Sequence, residues 1–575
     1  MKIENIWDLN KMKVRGLRSL APGKPKLSIS MSTCGLALGA DDILTAVQKE
    51  RKKTGLDITL GQTGCMGFCD LEPFGILRWP NKPTLVYRRM TPRRALQILK
   101  GIRKNKMPRE GLLCMITDPA TSPDLPAELK TIPDYKELPI FRKQVRIALK
   151  NCGLIEPLKL PEYIASGGYY ALYKALYQMS PDDVLGEVEA SGLRGRGGAW
   201  FSTGLKWRIA RGSRGDEKFV LCNADEGDPG AFKDRTIMEG DPFKLLEGMA
   251  LAGYAIGSQQ GVIYLREEYP HTYDLLLKAI GTAKKYGVLG KKILGADFNF
   301  NVKIIRGGGA YICGEETALM DSIEGEVGDP RLKPPFPIES GLWDRPTVVN
   351  NVETLSNIPM IVQYGGSWYA GFGTDSAKGT KILSVLGKVK YPGLYEVPLG
   401  TNLKEVILDM AGGPLEGSQI KAIQVGSPFG NFIPGERMNI SLDPETLRQM
   451  DSMIGSGVVV VLDQTSCLVD TLLHILQFFV DESCGKCVPC REGVFQMREI
   501  ILKIYEGRSD AQDLKALSEL GEMIKDFALC GLGGGAPSVV LHGIKDFSED
   551  MDAHIRTGKC PWSAQPDERS MSSKN

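Results

Sequence analysis

The stretch GLRGRGGAWFSTGLKW, residues 192–207, holds five glycines, two arginines, a lysine and two tryptophans, one of them, Trp200, in the middle of the loop. Gly195, Gly197 and Gly198 allow backbone N–H groups to turn inward around a phosphate, and a helix after them would add the positive end of its dipole. Arg196 and Lys206 supply positive charge. Trp200 works against this, because a bulky ring stands where backbone should approach a ligand. Such a loop alone is as often a tight turn as a binding site, so its neighbours decide the reading.

The neighbours repeat one pattern. KFVLCNADEGDPG (218–230) leaves an apolar run with Asn223, Asp225, Glu226 and Asp228, one amide and three carboxylates. FNFNVKIIRGGGAYICGEET (298–317) passes through a glycine turn into a helix-like stretch with Glu315 and Glu316 near its start, and PTVVNNVET (346–354) carries Asn350 and Asn351. Apolar strands alternating with helices across 161–375 predict a nucleotide-binding α/β domain, whose ligands gather at the carboxyl ends of the strands.

At 575 residues the chain is too long for one core. Apolar content of 42%, charged content of 24% and a net charge of +2 are ordinary for globular protein and argue against a nucleic-acid track. SGVVVVLD (456–463) is too short to span a bilayer, and the first residues lack the apolar region of a signal peptide. A cytoplasmic protein without direct membrane insertion is expected.

Residues 1–104 alternate strand-like KLSIS, DITL, GILRW and TLVYRR with helix-like DDILTAVQKERKKTG and RRALQILKGI, a small α/β unit carrying Cys34, Cys65 and Cys69. Residues 105–160, with the Pro-rich DPATSPDLPAELKTIPDY, read as a linker or extension. After the 161–375 domain, 376–465 is a β-rich module, 466–560 is helical, and 561–575 is a loose polar tail.

Thirteen cysteines without an export signal point to metal rather than disulfides, and four histidines remote from the cysteine clusters favour iron–sulfur over mixed Cys/His zinc. SCGKCVPCREG (483–493) supplies Cys484, Cys487 and Cys490. Arg491 stands where a ferredoxin run would soon give a fourth cysteine and proline, so the fourth ligand is remote. Cys530, in ALCGLGGGAPS, is the best candidate, with its glycines expected to let a loop close over the cluster. Lys486 and Arg491 would offset cluster charge. Cys114, Cys152, Cys222, Cys313, Cys467 and Cys560 read as isolated, and His474 as a core residue.

Taken in order, GLRGRGGAWFSTGLKW, NADEGDPGAFKDR, GGGAYICGEETAL, RLKPPFPIESGLWDRPTVVNNVET and SCGKCVPCREG closely resemble the flavin-bearing, NADH-oxidising subunit of respiratory complex I. Its kin in NAD-linked hydrogenases and formate dehydrogenases share the pattern, which spans about 165–545. The resemblance implies FMN, NAD(H) and a [4Fe-4S] cluster, in a Rossmann-like FMN domain followed by a β-grasp module and a helical bundle. It implies FMN phosphate on Gly195, Arg196, Gly197 and Gly198 with Lys206 nearby, and ribityl chain and ring edge held by Asn223, Asp225 and Glu226 beside Asp228. Tyr311, Gly314 and Glu315 would approach the flavin, with Asn350, Asn351 and Thr354 on its other side. Phe201 and Phe336 would stack on the dinucleotide and Glu316 anchor it. Glu226 is the flavin-proximal carboxylate to test first as a catalytic group, and the resemblance also places the fourth cluster ligand at Cys530.

Two positions depart from the family, Trp200 where glycine is usual and Ile209 where an aromatic often stands. Three functions therefore remain open: an NADH-oxidising or NAD-reducing subunit, an electron-wiring or assembly subunit whose dinucleotide site no longer works, and an NADP-specific or non-nicotinamide flavoenzyme. TGCMGFC (63–69) with STCGLALGA (32–40) is similar to a thioredoxin-like [2Fe-2S] domain but lacks the cysteine expected before Cys34. Ser28, Ser30 or Ser32 would have to substitute, and a cluster-bearing domain and a degenerate docking domain both stand. The partners implied are other redox subunits, such as a small thioredoxin-like [2Fe-2S] subunit and a catalytic or iron–sulfur subunit of hydrogenase or formate dehydrogenase type.

Overall fold

The computed structural model describes residues 2–117, 129–558 and 560–562. Its first sheet has the order β2-β1-β3-β4-β5 over β1 (Lys26–Ser30), β2 (Thr59–Thr63), β3 (Gly75–Arg78), β4 (Thr84–Tyr87) and β5 (Leu112–Ile116). The β1–β2 pair is parallel and the other pairs are antiparallel. The helix Pro92–Arg103 shows how sequence sets this packing. Thr91 caps its start by accepting from the N–H of Arg94, and Ala95, Ile98, Leu99 and Ile102 make one buried stripe at helical spacing. The result is the expected thioredoxin-like unit.

Strand β5 lies within the stretch expected to be a connecting extension. Residues 118–128 of the Pro-rich segment, and 563–575 of the tail, fall outside the described residues. The helix Ile6–Leu20 packs away from the first sheet, in the core shared with residues 147–302. Gly16 allows this approach, since a Cβ there would sit 1.8 Å from the carbonyl oxygen of Pro161.

The second sheet, β8-β7-β6-β9, is parallel throughout, with β6 (Phe219–Ala224), β7 (Gln260–Leu265), β8 (Asn301–Arg306) and β9 (Thr347–Asn351). Its registers pair Cys222 with Asn350 and Asn223 with Asn351, which puts the polar ends of two apolar strands side by side at one carboxyl edge. Helix Pro242–Ile256, including EGMALAGY, is buried almost throughout, as a helix apolar all round must be.

The third sheet, β11-β10-β14-β12-β13, is mixed and forms the β-grasp module from β10 (Thr380–Gly387), β11 (Gly393–Pro398), β12 (Ile420–Val425), β13 (Phe432–Pro434) and β14 (Val458–Asp463). Helices Leu468–Asp481, Phe495–Tyr505, Ala511–Phe527, Gly531–Asp546 and Ser548–Thr557 make the bundle. The α/β multidomain class expected from sequence is the one adopted. No helix among the described residues is long and apolar enough to cross a membrane. His474 is not a core residue: its side chain is 77% exposed on the outer face of Leu468–Asp481.

Candidate functional site

A cavity of about 670 Å³ opens at the carboxyl ends of β6 and β9. One wall is the glycine loop. Gly195 N–H donates to Phe201 O at 2.8 Å, closing the loop on itself, and Ser202 then caps the helix Thr203–Gly212. Gly198 has φ +129, a conformation glycine adopts without strain. Two further helices begin on the wall. Glu315 caps Glu316–Glu324 by accepting from Thr317 N and Ala318 N, and Asn351 caps Val352–Tyr364 through Glu353 N. Their dipoles add positive potential.

The expected residues Gly195, Gly197, Gly198, Phe201, Lys206, Asn223, Asp225, Glu226, Asp228, Tyr311, Gly314, Glu315, Glu316, Phe336, Asn350 and Asn351 all line this cavity. Phe201 and Phe336 are 44% and 49% exposed, aromatic faces left open at the site. Between them runs a charged chain. Lys206 lies 3.5 Å from Glu316, and Lys333 reaches Glu315 at 3.0 Å and Glu316 at 2.8 Å.

Arg196 and Thr354 depart from expectation. The Arg196 side chain is wholly buried and donates to the carbonyl oxygens of Thr380, Lys378 and Arg194, away from the cavity. Thr354 sits behind the loop and accepts the Arg196 N–H at 2.8 Å. A guanidinium has five donors, and three carbonyls in reach outcompete an open site. Trp200 also turns away. At φ +54 its ring joins the apolar core of the β-grasp module, with the Arg196 guanidinium 5.0 Å from its centroid. Neither Trp200 nor Ile209 lines the cavity.

The carboxyl groups differ in environment. Asp225 leaves Oδ2 buried without a partner, and burial pushes its pKa up to about 7. Glu226 is also raised to about 7, by burial and then by the Asp234 charge, but its oxygens accept from the N–H groups of Asp234 at 3.0 Å and Arg235 at 3.1 Å. It therefore anchors the start of helix Lys233–Gly240. Tyr311 donates to Asp228 at 2.5 Å. Beneath the loop, buried Lys233 is 2.7 Å from Asp234 and 3.3 Å from Glu353. Lys381 of β10 shares Glu353, and burial brings its pKa down to about 8.

A second, smaller pocket is lined by Cys484, Cys487, Cys490 and Cys530, with Ser483, Lys486, Leu529, Pro330, Ile312 and Leu532. Among the described residues these thiols do not gather within the 4.8 Å that one ion would require. Four thiols that face one pocket at wider spacing suit a cluster rather than a single ion. Ile312 and Leu532 line both cavities. The bundle is fastened here by Glu482 accepting from Tyr311 N at 3.0 Å and Lys486 donating to Pro330 O at 2.9 Å. The glycines after Cys530 are not a closing loop. Cys530 begins helix Gly531–Asp546, and a Cβ on Gly533 would lie 3.0 Å from Cys490 Cβ, one on Gly535 2.6 Å from Phe429.

In the first unit Cys34 starts a short helix, Cys65 follows β2, and Cys69 hydrogen-bonds with both thiols. Arg235, next on the helix that Glu226 anchors, reaches Cys34 Sγ at 3.6 Å. Glu72, 3% exposed, is the acidic neighbour: Cys65 hydrogen-bonds with it, as does Ser30. Ser28 Oγ is buried without a partner, and Ser32 caps the Cys34 helix by accepting from Gly35 N. The donor set is three thiols, one short of the four thiolates of a [2Fe-2S] centre.

Lys233 stands beside Asp234 and Lys333 before two prolines in the quoted motifs, and the motifs alone assign them no role. Phe429, Ser456 and Gly535 line the cavity from the β-grasp module and the bundle, and only tertiary folding brings them there.

Comparison with known proteins bears on this geometry. Residues 188–360 match the family described as the Nuo51 FMN-binding domain, 382–440 the SLBB domain, and 470–554 the NADH-ubiquinone oxidoreductase-F iron-sulfur binding region. The NADP-reducing hydrogenase subunit HndC of Solidesulfovibrio fructosivorans is 47% identical over 420 residues, 73% of this chain and 85% of that protein. The F 2 subunit of the NADH-quinone oxidoreductase of Rhizobium meliloti (strain 1021) is 44% identical, covering 72% of this chain and 99% of the relative. A solved NAD+-reducing [NiFe]-hydrogenase in the H2-reduced state matches with a TM-score of 0.64 at 28% identity, over 97% of this chain and 88% of that one.

Proposed function

The chain belongs to the family of NADH-quinone oxidoreductase F subunits, and on that premise we propose that its large cavity holds FMN beneath a nicotinamide dinucleotide and its thiol pocket a [4Fe-4S] cluster. The chain is an NADH dehydrogenase-type flavoprotein subunit that passes electrons within a redox complex. One observation carries the assignment: Ile312 and Leu532 belong to both cavities, so a single layer of side chains separates them.

When bound, FMN exchanges a two-electron hydride for single electrons and the cluster carries them one at a time. The rest is the work of the chain. Backbone N–H groups at Gly197 and Gly198 cradle phosphate, in a loop that the Gly195 N–H closes on Phe201 O, and Lys206 neutralises it. Asp225, with an unpartnered oxygen, is the carboxyl we assign to hydrogen-bond the flavin, while Glu226 positions the helix behind it. Phe201 and Phe336 stack on the dinucleotide, with Glu316 as its polar anchor. Cys484, Cys487, Cys490 and Cys530 hold the cluster, and Cys484, the exposed one, marks the side from which electrons leave. The partners that receive them are other redox subunits, of hydrogenase type given the likeness to HndC.

A wiring role without dinucleotide chemistry requires Trp200 and Ile209 to spoil the site, and neither side chain reaches it. The test is flavin bleaching of the anaerobic protein with NADH and, separately, NADPH. Bleaching by NADH supports the dehydrogenase. No bleaching by either nucleotide, with FMN bound, restores the wiring role.

A further inference from the structure

We propose that Cys467, His554 and Cys560 bind a zinc ion that pins residues 560–562 to the C-terminal bundle. In sequence Cys467 and Cys560 read as isolated, but folding brings them together. One ligand atom from each of the three residues lies within 4.8 Å of the others, the one such group among the described residues. Cys467 Sγ and His554 Nε2 are 3.3 Å apart. Zinc bound at its usual lengths, about 2.3 Å to sulfur and about 2.0 Å to nitrogen, sets a tetrahedral sulfur–nitrogen edge of about 3.5 Å. The pair already stands near that edge.

The surroundings prepare each donor. His554 is fully buried, and its Nδ1 lies 3.3 Å from the Tyr505 carbonyl oxygen. A carbonyl only accepts, so Nδ1 carries the proton and Nε2 keeps its lone pair towards Cys467, the arrangement that metal-bound histidines use. Cys467 is the N-cap of Leu468–Asp481, and its sulfur accepts from Asp470 N at 3.4 Å, a contact that fixes where the sulfur sits although burial pushes the metal-free thiol up to about 12. Cys560 comes from the segment after helix Ser548–Thr557. That segment is held down by Trp562, whose ring lies 4.0 Å from Lys421 Nζ, and Lys421 also pairs with Asp550.

Two thiolates and an imidazole are a borderline-soft set that suits zinc, with water as the fourth ligand. The ion would join the first helix of the bundle to its last, and so stabilise the frame that carries the four cluster thiols. Nothing in this assignment depends on the flavin or on the cluster.

The experiment is metal analysis of the intact anaerobic protein after removal of loose metal with EDTA, with zinc and iron counted separately. About one zinc per chain is expected beside the cluster iron. Cys560→Ser and His554→Gln should each lower zinc at least fivefold while iron and flavin absorbance stay, and His474→Ala, on the same bundle but outside the trio, should leave zinc unchanged. If His554→Gln does not fold, Cys560→Ser, outside the helices of the bundle, still decides. Zinc-free wild-type protein, zinc retained in Cys560→Ser, or a Cys467–Cys560 disulfide in peptide maps would each overturn the proposal.

Discussion

The backbone N–H of Arg196 donates to the hydroxyl of Thr354 at 2.8 Å, while the Arg196 guanidinium grips Thr380 O and Lys378 O. The glycine loop is therefore fastened through its backbone to the helix Val352–Tyr364 that follows β9, and through the Arg196 side chain to the β-grasp module. Removing the guanidinium strands buried carbonyl groups. Arg196→Met should destabilise the protein by about 3 kcal/mol, since breaking such buried charged hydrogen bonds costs that order. Thermal unfolding and FMN content measure it: the melting temperature should fall and flavin be retained less well.

The same anchoring settles Trp200. Trp200→Gly relieves a positive φ but gives up packing against the β-grasp core, so stability should change while the KM for NADH stays within about twofold, there being no ligand contact to lose. Phe336→Ala, by contrast, should raise that KM about tenfold, because loss of an aromatic–base stack costs about 1–3 kcal/mol. Steady-state kinetics with an artificial acceptor separates the two variants.

Much of the fold and site is legible in the residues. KLSIS, TLVYRR, GLYEVPLG and the bundle helices announce themselves by period and by turn residues. So do the loops of the cavity, because each carries its polar group directly after an apolar strand. Three features are hidden. Arg196 looks like a phosphate ligand because its charge is visible in sequence and the carbonyls of β10 are not. The glycines after Cys530 read as a loop, although they sit in a helix in which Gly533 and Gly535 meet Cys490 and Phe429 too closely for a Cβ. Cys467 and Cys560 are separated by the whole bundle in sequence, and only its folding makes them neighbours.

That crowding gives a sharp prediction. Gly533→Ala places a methyl 2.9 Å from Ala528 Cβ and 3.0 Å from Cys490 Cβ. Something must shift beside a cluster thiol, so the variant should lose iron and its reduced-cluster EPR signal while keeping FMN. An unchanged EPR spectrum would contradict the packing described here.

Stability should depend on pH through Asp225. Burial raises its pKa in the folded protein to about 7 from the ordinary 3.8, so the folded state holds a proton that the unfolded chain has released. The stability contribution is present below about pH 4 and is lost as pH rises towards 7. In flavin-free protein, Asp225→Asn should flatten the fall in melting temperature across that window. An unchanged slope would show that Asp225 does not govern it.

Iron content tests the first unit. Three thiols without a fourth should leave about four irons per chain, all in the bundle, whereas about six would mean that the unit holds a [2Fe-2S] centre after all.

Ile312 and Leu532 line both the large cavity and the thiol pocket, and the proposed electron path crosses them. The most direct test is anaerobic NADH titration of the purified protein, with flavin absorbance and low-temperature EPR followed together in wild type and in Cys530→Ala. The wild type should bleach and develop a reduced-cluster signal in step, and the variant should bleach without that signal. A wild-type flavin that bleaches while the intact cluster stays oxidised, in the presence of a low-potential mediator able to reduce it, would contradict the path.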